Sequence, residues 1–102
     1  MTNFMCADIS SLLDKTDIFN ILSSDLADFK CRMGESDAQG GYVSGTNKNR
    51  VRIQCWTGEN PMQLTVSFSS TNLNSNEREE ILGKIARDII PRIGEVIKVR
   101  DV

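Results

Sequence analysis

Two stretches near the middle of the chain alternate between apolar and polar residues, as strands with one buried face do. They cover residues 50–56 and 62–70. Their apolar members are Val51, Ile53, Cys55, Leu64, Val66 and Phe68. The residues between them, 57–61, contain Gly, Asn and Pro, which are typical of turns. Because a short connection joins adjacent strands, we expect the two stretches to pair antiparallel.

An earlier stretch, residues 29–33, also alternates and predicts a strand that ends at Gly34. Its apolar positions are Phe29, Cys31 and Met33, and its polar positions are Lys30 and Arg32. Residues 35–49 follow and are rich in Gly, Asn and Ser. This composition predicts a flexible loop, with room for a brief strand at Tyr42 and Val43.

The first part of the chain shows helical spacing of apolar residues. Asp8 is a candidate cap for a short first helix, and Thr16 or Asp17 for a second. The apolar positions of the two predicted helices are Ile9, Leu12, Leu13, Ile18, Phe19, Ile21, Leu22 and Leu26. Ser23 and Ser24 weaken the pattern, so the second helix is expected to end near residue 24 or to form one bent helix from residue 8.

The strongest helical pattern lies near the C-terminus. Asn74 with Glu77, or Asn76 with Glu79, has the spacing of a capping box. One wide apolar stripe follows, formed by Ile81, Leu82, Ile85, Ala86, Ile89, Ile90 and Ile93. Pro91 is expected to kink or end this helix, and Gly94 to stop it. The tail, residues 95–102, predicts an edge strand or a continuation of the helix.

The predicted elements indicate an α+β fold in a single domain, residues 1–102. A sheet with one apolar and one polar face needs a cover on one side only. We therefore predict a two-layer sandwich, in which an antiparallel meander of three to four strands is covered on one face by the N-terminal and C-terminal helices.

Net charge is −2, but the charges are unevenly distributed. Residues 1–28 sum to −4, residues 29–58 to +3 and residues 59–102 to −1. An acidic segment therefore precedes a basic one. The two segments either neutralise each other by packing together or present two charged surfaces.

Several kinds of chemistry have no support in this sequence. The chain has no histidine, which excludes Ser–His–Asp and Cys–His catalysis and histidine-ligated metals. Cys31 and Cys55 fall on predicted core positions, and Cys6 is the candidate for an exposed thiol. Residues 40–48 lack the lysine of a phosphate-binding loop. We expect no enzymatic activity, no cofactor and no metal.

The three cysteines have neither metal spacing nor an even count, so we expect a protein of the reducing cytoplasm, with one disulfide and a leftover thiol as the alternative. No signal peptide and no membrane-spanning run is apparent. We therefore expect that the protein does not bind a membrane. A nucleic-acid partner is the less favoured alternative to a protein partner.

The polar face of the predicted strands carries the most informative residues. Lys30, Arg32, Arg50, Arg52 and Trp56 are expected to point outward together. Trp and Arg are the residues most enriched at the energetic centres of protein interfaces. We therefore predict a non-enzymatic protein-binding domain, such as a small cytoplasmic immunity protein or antitoxin that neutralises a toxin by direct binding.

A second candidate surface is acidic. If the partner is a basic nuclease toxin, aspartates of the first segment would occupy the positions of substrate phosphates. These aspartates are Asp14, Asp17, Asp25 and Asp28.

Other interpretations stay open. One is single-stranded nucleic-acid binding, in which basic strand residues follow phosphates while Trp56 stacks on a base. Another is a secretion chaperone or adaptor. A third is an ordinary solvated sheet face. The apolar tail also allows a homodimer that pairs through an edge strand.

Overall fold

In this computed structural model, which describes residues 4–101, the chain forms an antiparallel sheet of six strands and two helices. The strands are β1 (Phe4–Ser10), β2 (Lys30–Ser36), β3 (Gly40–Thr46), β4 (Arg52–Trp56), β5 (Met62–Ser67) and β6 (Glu95–Asp101). The order across the sheet is β2-β3-β4-β5-β1-β6. The first helix is α1 (Lys15–Asp25), and the second comprises α2 (Ser75–Lys84), a π-helical segment (Ile85–Ile89) and α3 (Ile90–Ile93). The predicted α+β class is confirmed, and the predicted number of strands is too small.

The two strands predicted from the central alternation are confirmed as β4 and β5. They pair antiparallel, with Ile53 opposite Val66 and Cys55 opposite Leu64. All four side chains are fully buried. Alternation therefore orients both strands, because moving either strand by one residue would turn its apolar side chains to water.

The expected loop at residues 35–49 is wrong for most of its length, and the brief strand allowed at Tyr42 and Val43 is confirmed as part of a longer one. β2 continues through Gly34 to Ser36, and after a turn the chain returns as the full strand β3. β3 is hydrogen-bonded to β2 on one side and to β4 on the other. Val43 is the single large apolar residue that β3 buries. Pairing on both sides stabilises a Gly- and Ser-rich segment whose own propensity for strand is low.

The expected helix from Asp8 is also wrong, because this residue lies in β1. β1 runs between β5 and β6 and buries Met5, Ala7 and Ile9 on one face. Leu12, which suggested the helical spacing, is fully exposed in the connection after β1. The pattern with period two from Met5 to Ile9 is therefore the one the fold uses.

Helix α1 begins two to three residues earlier than the predicted caps of the second helix place it. Its N-cap is Asp14, and neither Thr16 nor Asp17 has that position. Asp17 is the third helical residue, and its side chain accepts a hydrogen bond from the Asp14 backbone while the Asp14 carboxylate accepts one from the Asp17 N–H. This reciprocal capping box satisfies N–H groups that have no partner within the helix. Ile18 and Leu22 form the buried side of α1.

The second helix has the predicted capping box between Asn74 and Glu77. Four isoleucines of its apolar stripe are buried, namely Ile85, Ile89, Ile90 and Ile93. Pro91 neither ends nor breaks the helix, which continues to Ile93 after the π-helical segment. The wider π turn accommodates a proline, which lacks an N–H and crowds the preceding turn.

The tail forms strand β6, and the helical alternative is wrong. The helix stops before Gly94, where an added Cβ would lie 2.2 Å from the Ser10 carbonyl oxygen. β6 pairs with β1 alone in the described residues and so forms one edge of the sheet. Val96, Ile97 and Val99 remain exposed on it.

One hydrophobic core joins the helices to one face of the sheet. The opposite face, called here the outer face, carries the alternate side chains of every strand, and no helix packs on it within residues 4–101. No helix in this part of the chain has both the length and the apolar character needed to cross a membrane.

Replacing Ile85 by Asp is expected to unfold the protein, since an unpaired carboxylate in a fully buried position costs more than about 4 kcal/mol. The matched control is Ala86→Asp, at the exposed neighbouring position. Urea unfolding followed by circular dichroism measures both variants. A cooperative transition of Ile85→Asp at the wild-type midpoint would contradict this placement of the stripe.

Candidate binding surface on the outer sheet face

The strand register brings four of the five predicted outward residues onto the outer face. Lys30, Thr46 and Arg52 occupy one row across β2, β3 and β4. Arg32 begins the next row, with Ser44 and Gln54. β3 separates β2 from β4, so the lysine and the arginine of the first row stand two strand spacings apart, about 10 Å.

An aromatic pair occupies the third row. Tyr42 on β3 lies opposite Trp56 on β4, and the ring centroids are 5.6 Å apart at an interplanar angle of 61°. On its other side, the tyrosine ring covers Gly34 of β2, where an added Cβ would lie 2.7 Å from the phenol oxygen. Only glycine leaves room for the ring at this position. Both aromatic residues are half-buried.

Sequence reasoning missed Tyr42 as a site residue because it fell within the expected loop. Its alternation with the buried Val43 is the one signal that could have placed it on a strand.

Two hollows adjoin on this face and form one trough. Their volumes are about 470 Å³ and about 420 Å³. The first is lined by Lys30, Cys31, Arg32, Tyr42, Ser44, Thr46, Arg52, Gln54 and Trp56, and the second by Phe4, Thr46, Arg50, Arg52, Gln54, Thr65, Ser67, Ser69 and Ser70. Small side chains such as Ser44, which is buried, form the floor between longer ones. Arg52 stands where the two hollows meet.

The charged residues that line this trough are all cations. They are Lys30, Arg32, Arg50 and Arg52. Within residues 4–101, none of the four takes part in a salt bridge. Glu35 on β2 points to the opposite face and pairs with Lys15, and Asp8 on β1 pairs with Arg100. The trough is therefore a site of positive potential that other side chains do not neutralise.

Arg50 was expected on the strand with Arg52, and this is wrong. It lies in the connection between β3 and β4 with a φ of 62°. The buried Asn47 holds this turn, because its side-chain oxygen accepts hydrogen bonds from the Asn49 and Val51 N–H groups at 2.9 and 3.0 Å. The exposed Arg50 side chain still lines the second hollow.

The acidic candidates lie elsewhere. Asp14 and Asp17 cap α1, and Asp25 at the end of the same helix pairs with Arg92 of α3. Asp28 is exposed in the connection between α1 and β2. Since α1 packs against the inner face, the structure does not bring these aspartates together with the cations of the trough.

The cysteines differ from expectation in one respect. Cys6 is 6% exposed, so its expected exposure is wrong, and its sulfur accepts a hydrogen bond from the Arg100 guanidinium at 3.3 Å. Burial raises the pKa of the half-buried Cys31 thiol, and it raises the pKa of Cys55 to about 12. Protonated thiols are weak nucleophiles and ligands. In the described residues, no group of three or more His, Cys, Asp or Glu side chains is placed to hold a metal ion.

No known protein family matches this chain, and a search of curated proteins finds no similar sequence.

The shifted pKa of Cys55 predicts a loss of stability in alkaline solution. The thiol ionises near its ordinary pKa of 9.0 when unfolded and near 12 when folded, so its stabilising contribution is complete below pH 9 and falls between pH 9 and 12. At pH 10 the loss is on the order of 1 kcal/mol. We expect the stability difference between wild type and Cys55→Val to change by that amount between pH 8 and pH 10 in urea titrations. A constant difference would contradict the shift.

Replacing Gly34 by Val is expected to displace the Tyr42 ring from Trp56. The loss of an aromatic pair lowers the free energy of unfolding by about 1 kcal/mol. Greater exposure of the indole shifts the Trp56 emission maximum to the red. Met33→Val, on the same strand but the opposite face, serves as the control and should leave the emission unchanged. An unchanged spectrum in Gly34→Val would show that the tyrosine does not cover the tryptophan.

Proposed function

We propose that this protein is a non-enzymatic binding domain that docks a protein partner on the outer sheet face. The observation that carries the proposal is the trough itself. Among the described residues, it combines four cations that take part in no salt bridge with an aromatic pair, on a sheet face that no described helix covers.

The chemistry of the trough is that of protein interfaces. Trp56 offers a large apolar area with few rotatable bonds, and Arg32 and Arg52 offer planar groups with several hydrogen-bond donors. The backbone of β4, which carries Arg52 and Trp56, is held on both sides by neighbouring strands, whereas β2, which carries Arg32, pairs with β3 alone in the described residues. A rigid surface loses little conformational entropy on binding, which favours affinity.

An inhibitor such as an immunity protein or antitoxin is the more specific form of this proposal, and a secretion chaperone or adaptor is its alternative. Either role needs a shaped, charged surface and no chemistry. The positions of the aspartates favour the basic face over the acidic segment, because Asp14, Asp17 and Asp25 already cap a helix or pair with an arginine. Such a partner would contribute acidic groups to the interface. The cytoplasm remains the proposed location, since all three cysteines are free.

Single-stranded nucleic-acid binding is the second candidate. The sequence offered one outward aromatic residue, and Tyr42 adds another on the same face. In proteins that bind single-stranded nucleic acids, cations contact the phosphates and aromatic rings stack on the bases. The outer face has both kinds of side chain. Affinity that falls steeply with salt for an oligonucleotide would favour this candidate.

Pairing of two copies through β6 also stays a proposal. The exposed Val96, Ile97 and Val99 favour it. Lys98 and the irregular register at Asp8 and Ile9 are features that commonly prevent edge pairing.

Reversing two charges of the trough tests the proposed surface. Arg50→Glu with Arg52→Glu should fold normally, because both side chains are exposed, and should lose partner capture from a native lysate. The matched control is Lys84→Glu with Arg87→Glu, which changes the net charge equally on the exposed side of the second helix. Capture is measured by affinity purification and mass spectrometry. Equal capture by the two double variants would rule out the outer face as the docking surface.

A further inference from the structure

We propose, as an extension of the protein-binding function above, that the occupant of the trough is an extended acidic segment of the partner. One carboxylate of this segment binds Arg52 where the two hollows meet. An apolar or aromatic side chain further along it packs against Trp56 and Tyr42.

The spacing of the cations suits such a segment. Lys30 and Arg32 are alternate residues of β2 and stand about 7 Å apart on one face. Alternate side chains of an extended peptide have the same separation. Acidic residues at every second position would therefore reach successive cations without a bend in the peptide. A guanidinium such as that of Arg52 can bind a carboxylate through two parallel hydrogen bonds.

The two ends of the trough differ in chemistry. Along β4 the outward residues are Arg52, Gln54 and Trp56, so the chain changes from cation to amide to aromatic ring over about 13 Å. The amide of Gln54 can donate to and accept from a peptide backbone. A ligand that follows β4 would place its apolar side chain four residues away from the carboxylate on Arg52.

Two observations favour a peptide over a nucleic acid. The rings of Tyr42 and Trp56 meet at 61°, so the edge of one ring faces the other, and they do not form two parallel platforms for bases. Hydroxyl and amide groups, which suit a peptide backbone, outnumber cations in the lining.

Fluorescence anisotropy with labelled probes tests this inference on the full chain. The acidic probe is an eight-residue peptide with Glu at alternate positions and one Phe four residues after a Glu. Its controls replace every Glu by Gln, every Glu by Lys, or Phe by Ala. A fifteen-nucleotide oligothymidine and an oligouridine of the same length test the nucleic-acid alternative. The proteins are wild type, Arg52→Glu and, as the control of equal charge, Lys84→Glu.

We expect the acidic probe to bind the wild type and to shift the Trp56 emission. Affinity should fall about tenfold or more with the Gln probe and with Arg52→Glu, since each change removes charge-assisted hydrogen bonds. The Ala probe should bind more weakly and leave the emission unchanged. Lys84→Glu should bind as the wild type does.

Equal affinity for the Glu and Gln probes, equal binding by Arg52→Glu, or no binding of the acidic probe would overturn the inference. Tighter binding of either oligonucleotide would overturn it in favour of a nucleic acid. Partner capture from a native lysate distinguishes failure of this inference from failure of the proposed protein-binding function. The Arg50→Glu, Arg52→Glu variant could lose its partner although the acidic probe does not bind the wild type. In that case the outer face is retained as the docking surface, and the proposal of an acidic segment is wrong.

Discussion

Burial of one face of the sheet is the constraint on which the rest of this structure depends. Ile53 and Val66 on adjacent strands are fully buried in the same core as Ile85 and Ile89 of the second helix. Because side chains alternate strictly along a strand, burying Ile53 also fixes Arg52 on the opposite face. The cations on the strands and the aromatic pair therefore face solvent as a direct consequence of how the core packs.

The same constraint explains which elements the sequence reveals. β4, β5 and the second helix have long, regular apolar patterns, so their type and orientation were predictable, together with Lys30, Arg32, Arg52 and Trp56 as outward residues. β1 and β3 were not. Each is paired with a strand on both sides. The partners of β1 are β5 and β6, which are distant in sequence, whereas β3 pairs with its sequence neighbours β2 and β4. In β3 the small residues around Val43 hide the alternation, and Tyr42 was missed with it.

The unneutralised charge of the trough is informative because this chain has acids available. Asp14, Asp17 and Glu77 cap helices, while Asp25 and Glu35 pair with cations at the helical side. The four cations of the trough take part in no salt bridge within the part of the chain that the structure describes. Exposed arginines cost little in water, so stability does not forbid this arrangement. Nor does stability favour it, since like charges on the same face of a sheet repel one another.

Acidic groups on the helical side and basic groups on the sheet side together affect how a partner approaches this protein. The N-cap of α1 and its acidic neighbours lie on the helical side, whereas the cations lie on the sheet side, although the net charge is only −2. An acidic partner would therefore be attracted to one side and repelled by the other, which orients the approach at long range. Attraction of this kind raises the rate of association, but it does not hold a complex together. Slow dissociation requires buried apolar area, and on the outer face Trp56 with Tyr42 is the place where a partner could find it.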